Sequence, residues 1–176
     1  KLFEINKKFN VIKGNLRVAD LGAAPGSWSQ MLSDKLFSKG NNNKSKIYAI
    51  DLQTIDPIEK VIIIKKDIKD FLKERYIIDK NSLDLVLSDM APKATGHRFT
   101  DQARAEDLVH AAADFSKYYL AKNGNFICKL LGINNNNNLI KKMKKYYKSV
   151  KLFKPESSMK DSKEIYLICL SFNNLH

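Results

Sequence analysis

Short apolar runs alternating with longer amphipathic segments constrain this chain more than any other feature. The runs occupy residues 16–21, 47–52, 61–65, 83–88 and 125–131. Runs of this length suit strands of a parallel sheet, which is buried by helices on both faces. Between the last two, Leu108, Ala112, Phe115 and Tyr119 recur at helical spacing and predict a helix over about 101–121. A lysine-rich helix around 139–147, a short strand at 150–153 and a strong strand at 164–172 follow. Too few residues separate the last two for a right-handed crossover with its helix, so they are expected to pair antiparallel. The expected fold is α/β: a seven-stranded, mostly parallel sheet with an antiparallel C-terminal hairpin and helices on both faces.

At 176 residues the chain suits one domain, expected over 1–176. It opens on Lys1 and not on Met, so a segment before Lys1 is expected to be missing. No apolar stretch approaches the roughly 18 residues of a membrane helix, and a soluble monomer with no membrane partner is expected. Cys128 and Cys169 lack C-x-x-C spacing and read as buried thiols in a reducing, intracellular compartment, with no metal. Lys and Arg total 31 against 19 Asp and Glu, a net charge of +12 that points to a polyanionic partner. Residues 115–163 hold twelve lysines against Glu156 and Asp161. The competing reading is a solvated lysine surface in a composition biased toward Lys, Asn and Ile. The Asn runs at 41–43 and 134–138 read as surface loops.

Asp20-Leu21-Gly22-Ala23-Ala24-Pro25-Gly26-Ser27-Trp28 follows the first strand and opens the first helix, where an α/β sheet binds its ligand. Gly22 and Gly26 let the backbone approach a ligand, and Ala23 and Ala24 keep the floor small. The spacing is neither G-x-G-x-x-G nor a P-loop, and Pro25 removes an amide that a pyrophosphate would use. Asp51 closes the second strand, where it can accept from ribose hydroxyls, with Leu52 beside it. Asp67 and Ile68 follow the third strand, within reach of an adenine, and Asp20 can face a cation. Singly, such acids are more often helix caps or turns. Together they suit a nucleoside carrying ammonium and sulfonium charges, as in S-adenosylmethionine.

Asp89 follows the fourth strand within Ser88-Asp89-Met90-Ala91-Pro92, Lys129 interrupts the apolar fifth, and Glu164 begins the last. If that last strand neighbours the fifth, the three converge. Taken together, the D-L-G-A-A-P-G-S-W-S-Q loop, S-D-M-A-P, I-C-K and K-E-I-Y resemble the FtsJ/RrmJ family of S-adenosylmethionine-dependent ribosomal RNA 2′-O-ribose methyltransferases. This resemblance spans essentially the whole chain and implies a Rossmann-like methyltransferase fold. It also implies a Lys-Asp-Lys-Glu tetrad at Lys1, Asp89, Lys129 and Glu164, with Lys1 placed by the K-L-x-E-I pattern of residues 1–5. Cofactor contacts are implied at Gly26, Trp28, Asp51, Asp67 and Asp89, with S-adenosylhomocysteine as product. Gly26-Ser27-Trp28 departs from the family's usual G-G-W, the Asn run at 134–138 replaces part of a loop near the substrate, and basic residues that usually precede the first lysine are lacking.

A ribose hydroxyl is a weak acid, so a base must take its proton as the oxygen attacks. Lys129 is the expected base; the alternative is that both lysines stay charged and steer the oxygen. Lys141, Lys142, Lys145, Lys154, Ser157, Ser158 and Lys160 are the expected RNA contacts. The resemblance implies large-subunit ribosomal RNA, or a pre-ribosomal large subunit, as partner and uridine as target. Alternatives are the tRNA anticodon loop, an mRNA cap, or an RNA-binding homologue that has lost catalysis. The A-P-x-A-T-G stretch resembles organellar members of the family, which implies a mitochondrion or other organelle, with nucleus or cytoplasm as the alternative.

Overall fold

The computed structural model describes residues 1–38, 44–74, 77–132, 137–158 and 164–173. In chain order its elements are α1 (Leu2–Phe9), β1 (Arg17–Leu21), α2 (Ser27–Leu36), β2 (Lys46–Asp51), β3 (Val61–Lys65), α3 (Ile68–Glu74), β4 (Leu83–Ser88), α4 (Arg98–Tyr119), β5 (Leu120–Leu131), α5 (Asn137–Lys144), β6 (Tyr147–Phe153) and β7 (Glu164–Phe172). The seven strands form one sheet in the order β3-β2-β1-β4-β5-β7-β6. The first five run parallel; β7 is antiparallel to both β5 and β6. The expected fold class is therefore the observed one.

Strand alternation builds two apolar layers. Along β4, Leu85 and Leu87 face a cluster with Leu2 and Ile5 of α1 and Trp28 and Leu32 of α2. Val86 faces the other cluster, with Phe71 of α3, Phe115 and Tyr119 of α4 and Met143 of α5, and Leu83 joins it because the strand is irregular between Leu83 and Leu85. Because β1 and β4 are neighbours whose outgoing connections lead to opposite faces, their carboxyl ends splay apart and leave the crevice in which such sheets bind ligands.

Three boundaries differ from expectation. Helix α4 begins at Arg98, before the predicted residue 101. Asp101 lies inside the first turn, and its Oδ1 accepts from Thr95 N at 2.9 Å and Thr95 Oγ1 at 2.7 Å, ordering the approach to the helix. At its other end α4 passes directly into β5, because Leu120 already pairs with Leu83 of β4. The lysine-rich helix stops at Lys144, and Tyr147 belongs to β6. Tyr147 is buried opposite Phe172, its ring centroid 5.1 Å away, and its hydroxyl lies 3.0 Å from Ser116 Oγ. Sheet pairing wins because it buries an aromatic that an exposed helix would leave in water. Of the Asn run at 134–138, residues 137 and 138 start α5 and the others lie outside the described residues.

Gly22 has φ +72°, and a Cβ there would lie 2.5 Å from Met90 Cγ and 3.0 Å from Met90 Cα. Gly14 has a similar φ of +68° with nothing within 4 Å. Replacing each by Ala thus separates backbone strain from overpacking. Urea denaturation should show Gly14→Ala costing about 1 kcal/mol and Gly22→Ala a further 1–3 kcal/mol or so.

Candidate active site

The loop after β1 is held against β2 by its own backbone. Gly22 N and Ala23 N donate to Ile50 O at 2.9 and 3.3 Å. Asp51, at the end of β2, accepts from Ala24 N through Oδ2 at 2.9 Å and from Gln53 N through Oδ1 at 2.7 Å. Two amides from different segments thus fix the carboxylate plane while each oxygen keeps a second lone pair. Asp67 combines both readings weighed from the sequence. Its Oδ1 caps the start of α3 through Lys69 N at 2.7 Å, and it lines the crevice.

That crevice is a cavity of about 970 Å³ at the β1–β4 junction. Of the expected cofactor residues, Gly22, Ala24, Asp51, Leu52, Asp67, Ile68 and Asp89 line it, as does Lys129. Asp20, Ala23, Pro25, Gly26, Ser27 and Trp28 are not in its wall. Ala23 packs with Ala49 and Ile55. The close approach that Gly26 permits is to Ile58, whose Cδ1 would be 2.8 Å from an added Cβ. Pro25 and Ser27 are exposed and Trp28 is in the core beside Tyr166, centroids 5.9 Å apart.

Asp20 is fully buried below the loop. Its Oδ2 accepts from Ser29 Oγ at 2.7 Å, and its Oδ1 is buried with no hydrogen-bond partner among the described residues. Burial foremost, with the neighbouring anions Asp89 and Asp51, pushes its pKa up to about 7.

Strand register assembles the other cluster. Lys129 on β5 stands opposite Tyr166 on β7, and Glu164 lies two residues from Tyr166 on the same face. Lys129 Nζ lies 3.2 Å from Asp89 Oδ1. Lys1, the N-cap of α1, places Nζ 2.7 Å from Glu164 Oε2 and 2.9 Å from Oε1. The Tyr166 hydroxyl is within donating distance of both Asp89 Oδ1, at 2.8 Å, and Glu164 Oε1, at 3.0 Å. The four residues expected to form a tetrad therefore stand in one connected row, Lys129, Asp89, Tyr166, Glu164, Lys1, with each lysine against its own acid. Burial opposes charge on Glu164, but hydrogen bonds from Lys1 and Tyr166 and the charges of Lys1 and Lys129 outweigh it and hold its pKa below the usual range. Tyr166 is pushed the opposite way, by burial first and then by Asp89 and Glu164, so its hydroxyl stays a donor.

Sequence reasoning missed Tyr166 as part of the site. The signal was present, since an i, i+2 pair on a strand shares one face, but only the β5–β7 register shows what that face meets. The expected RNA contacts divide. Lys154, Ser157 and Ser158 follow β6 at the cluster's end of the sheet, and Ser158 Oγ donates to Glu164 Oε2 at 3.3 Å. Because β6 runs in the same direction as β5, α5 must run away from that end to reach its start. Lys141, Lys142 and Lys145 therefore lie on or just beyond a helix leading from the cluster toward the far end of the sheet. Lys160 is outside the described residues.

Comparison with known proteins adds the following. The sequence profile of the FtsJ-like methyltransferases matches residues 1–172. A ribosomal RNA large subunit methyltransferase E of Rickettsia bellii is 42% identical over 173 residues, covering 97% of this chain and 76% of that protein. The Rickettsia akari protein of the same name is 40% identical with the same coverage. A crystal structure from Plasmodium falciparum, provisionally assigned as a ribosomal RNA methyltransferase, superposes with TM-score 0.81 at 30% identity, covering 97% of this chain and 94% of that one. A provisionally assigned Streptococcus mutans methyltransferase, solved with S-adenosylhomocysteine, has TM-score 0.61 over 97% of each chain. At 15% identity it speaks only to the fold.

Two outcomes follow from the geometry. Tyr166→Phe removes the hydroxyl proton that lies between Asp89 and Glu164 and should destabilise the protein by about 1–3 kcal/mol in chemical denaturation. An unchanged midpoint would show that this hydroxyl does not bind the two acids together. For Asp20 the folded-state pKa of about 7 lies above its unfolded value. Its contribution is therefore fully present below about pH 4 and is lost as pH rises toward 7. Without added ligand, Asp20→Asn should gain stability relative to the parent across that interval and no more above it, measured by urea denaturation at stepped pH.

Proposed function

The chain belongs to the FtsJ-like methyltransferase family, and on that premise we propose that it moves a methyl group from S-adenosylmethionine to the ribose 2′-hydroxyl of a uridine in large-subunit ribosomal RNA. The observation that carries this reading is the row Lys129-Asp89-Tyr166-Glu164-Lys1, whose first two members line the cavity. The names of the Rickettsia relatives support the choice of RNA.

The residues present fit the cofactor. Asp51, with its plane fixed by two amides, offers free lone pairs to a ribose diol. Leu52, 63% exposed at the cavity wall, together with Ile68 and Met90, offers apolar surface to an adenine. Asp20 Oδ1 is buried and orphaned among the described residues, and the anions Asp51 and Asp89 raise its pKa further. Asp20 beneath the loop and Asp51 and Asp89 in the cavity wall put three carboxyl groups near where the ammonium and sulfonium groups of such a ligand would lie. When bound, S-adenosylmethionine contributes an electrophilic methyl on sulfur.

Lys129 touches both the cavity wall and the acid row, and only 11% of its side chain is exposed. We assign it to the 2′-hydroxyl proton. Lys129 must enter the step as the free amine, its ammonium proton having passed to solvent, and Asp89, 3.2 Å away, stabilises the ammonium that re-forms as the proton leaves oxygen. Tyr166 shares its one hydroxyl proton between the acids on either side of it and so lowers their mutual repulsion. Glu164 holds Lys1, 34% exposed, at the far end of the row, where an ammonium can receive a ribose or phosphate oxygen. Lys93 and Arg104 in the cavity wall, and Lys154 after β6, extend a cationic surface for the backbone around the target.

The test is transfer of labelled methyl to purified large-subunit RNA, followed by mapping of ribose methylation. The expected product is one 2′-O-methyluridine, absent when that nucleotide is deoxy. Methylation of a base, or of transfer RNA alone, overturns the assignment. Lys129→Ala should lose about 10²–10⁴-fold in rate while calorimetry shows S-adenosylmethionine still bound.

A further inference from the structure

Helix α1 brings Lys1 to Glu164, yet the Lys1 side chain makes no capping bond to its own helix. Leu2 and Ile5 seat that first turn on the core, and Glu4 ties it to a distant segment. An acid in the first turn ordinarily serves the amides and dipole of its own helix. Here both carboxylate oxygens leave the helix. Glu4 Oε2 accepts from Glu156 N at 2.6 Å and Oε1 from Ser157 N at 3.2 Å. These are consecutive amides in the connection between β6 and β7. The next residue, Ser158, is buried and donates to Glu164 Oε2.

A closed ring results. It runs from Lys1 to Glu164, through Ser158 and Ser157 to Glu4, and back along one helical turn closed by Ile5 N to Lys1 O at 3.0 Å. Hydrogen bonding to Ser157 is the main cause that holds the Glu4 carboxyl below its ordinary pKa, so the acceptor stays anionic. The far end of α1 is anchored separately. Phe9 packs on Phe153 with centroids 5.5 Å apart, and Lys8 Nζ lies 4.7 Å from the Phe153 centroid. Leu2 and Ile5 are buried in the core beneath. Loss of Glu4 therefore leaves α1 docked through Leu2, Ile5 and Phe9 and removes only the bonds that tie its first turn to residues 156 and 157.

We propose that Glu4 is a positioning residue for the methyl transfer. It joins α1 to residues 156–158 so that Lys1 and Ser158 meet the same carboxylate, Glu164. This rests on the reading that Lys1 and Glu164 serve transfer to a ribose hydroxyl. Glu4 touches neither substrate nor cofactor and acts through Lys1.

The experiment compares full-length wild type, Glu4→Ala, Glu4→Gln, Lys1→Ala and the Glu4→Ala/Lys1→Ala double variant. Glu4→Ala should slow single-turnover methyl transfer by about tenfold to a hundredfold, with the RNA KM and S-adenosylmethionine affinity held within about twofold. Glu4→Gln, whose amide oxygen still accepts, should recover part of the rate. The double variant should be no slower than Lys1→Ala alone, since a residue that acts through Lys1 has nothing left to position. Effects that multiply, or cofactor and RNA binding that fall in parallel with the rate, overturn the proposal and give Glu4 a general structural role. Hydrogen exchange supplies a readout independent of turnover. The amides of Glu156 and Ser157 should exchange faster in Glu4→Ala, and unchanged exchange overturns the clamp whatever the activity. If wild type leaves ribose hydroxyls unmethylated while these amides still respond to Glu4→Ala, the reaction assignment has failed and the clamp has not.

Discussion

The antiparallel register of β5 on β7 is the constraint on which the rest of this site depends. Placing Tyr166 opposite Lys129 puts a hydroxyl beside an ammonium on one face of the sheet, and the two-residue strand period brings Glu164 to the same face. A slip of one residue would turn Tyr166 and Glu164 toward the opposite layer. The register is held firmly because alternate residues on both strands are core: Ile127 and Ile168 enter one cluster, Phe126, Cys128, Leu167 and Cys169 the other. Burial of the apolar residues thus fixes the geometry of the charged ones.

Electrostatic balance explains why such a cluster is tolerated in a partly buried place. Two lysines and two acids sum to zero, and the Tyr166 hydroxyl supplies a proton between the acids. Glu164 is 8% exposed and Lys1 34%, so the acid is the member that needs a partner and the lysine keeps contact with solvent. Removing a partner from a buried charge costs more than the pair contributes. Asp20 shows the opposite situation, a buried carboxyl with a neutral partner and anions nearby, which is why its proton is retained toward neutral pH.

Much of the site was legible before the fold was known. Acids at successive strand ends mark a crevice in any doubly wound sheet, and three of the four, Asp51, Asp67 and Asp89, are in the cavity wall. The lysine-rich segment was also visible, but its composition does not carry direction. Only the parallel relation of β6 to β5 shows that α5 leads away from the cluster. The Gly26 turn was legible as a close approach, yet what comes close is Ile58. Backbone need can be read locally, whereas its partner is decided across the chain.

The sequence by itself determined the class of sheet, the antiparallel ending and the acid-rich turn after the first strand, and through the family resemblance of its motifs it put forward Lys1, Asp89, Lys129 and Glu164 as candidates. Each of these rests on local pattern: strand length, spacing, turn chemistry and motif order. Tertiary structure decided which lysine faces which acid, that Tyr166 joins the two pairs, and that Glu4 reaches residues 156 and 157 instead of its own helix. Those outcomes depend on contacts between segments far apart in the chain, and they are settled when the apolar layers close and leave the charged side chains one arrangement in which each finds a partner.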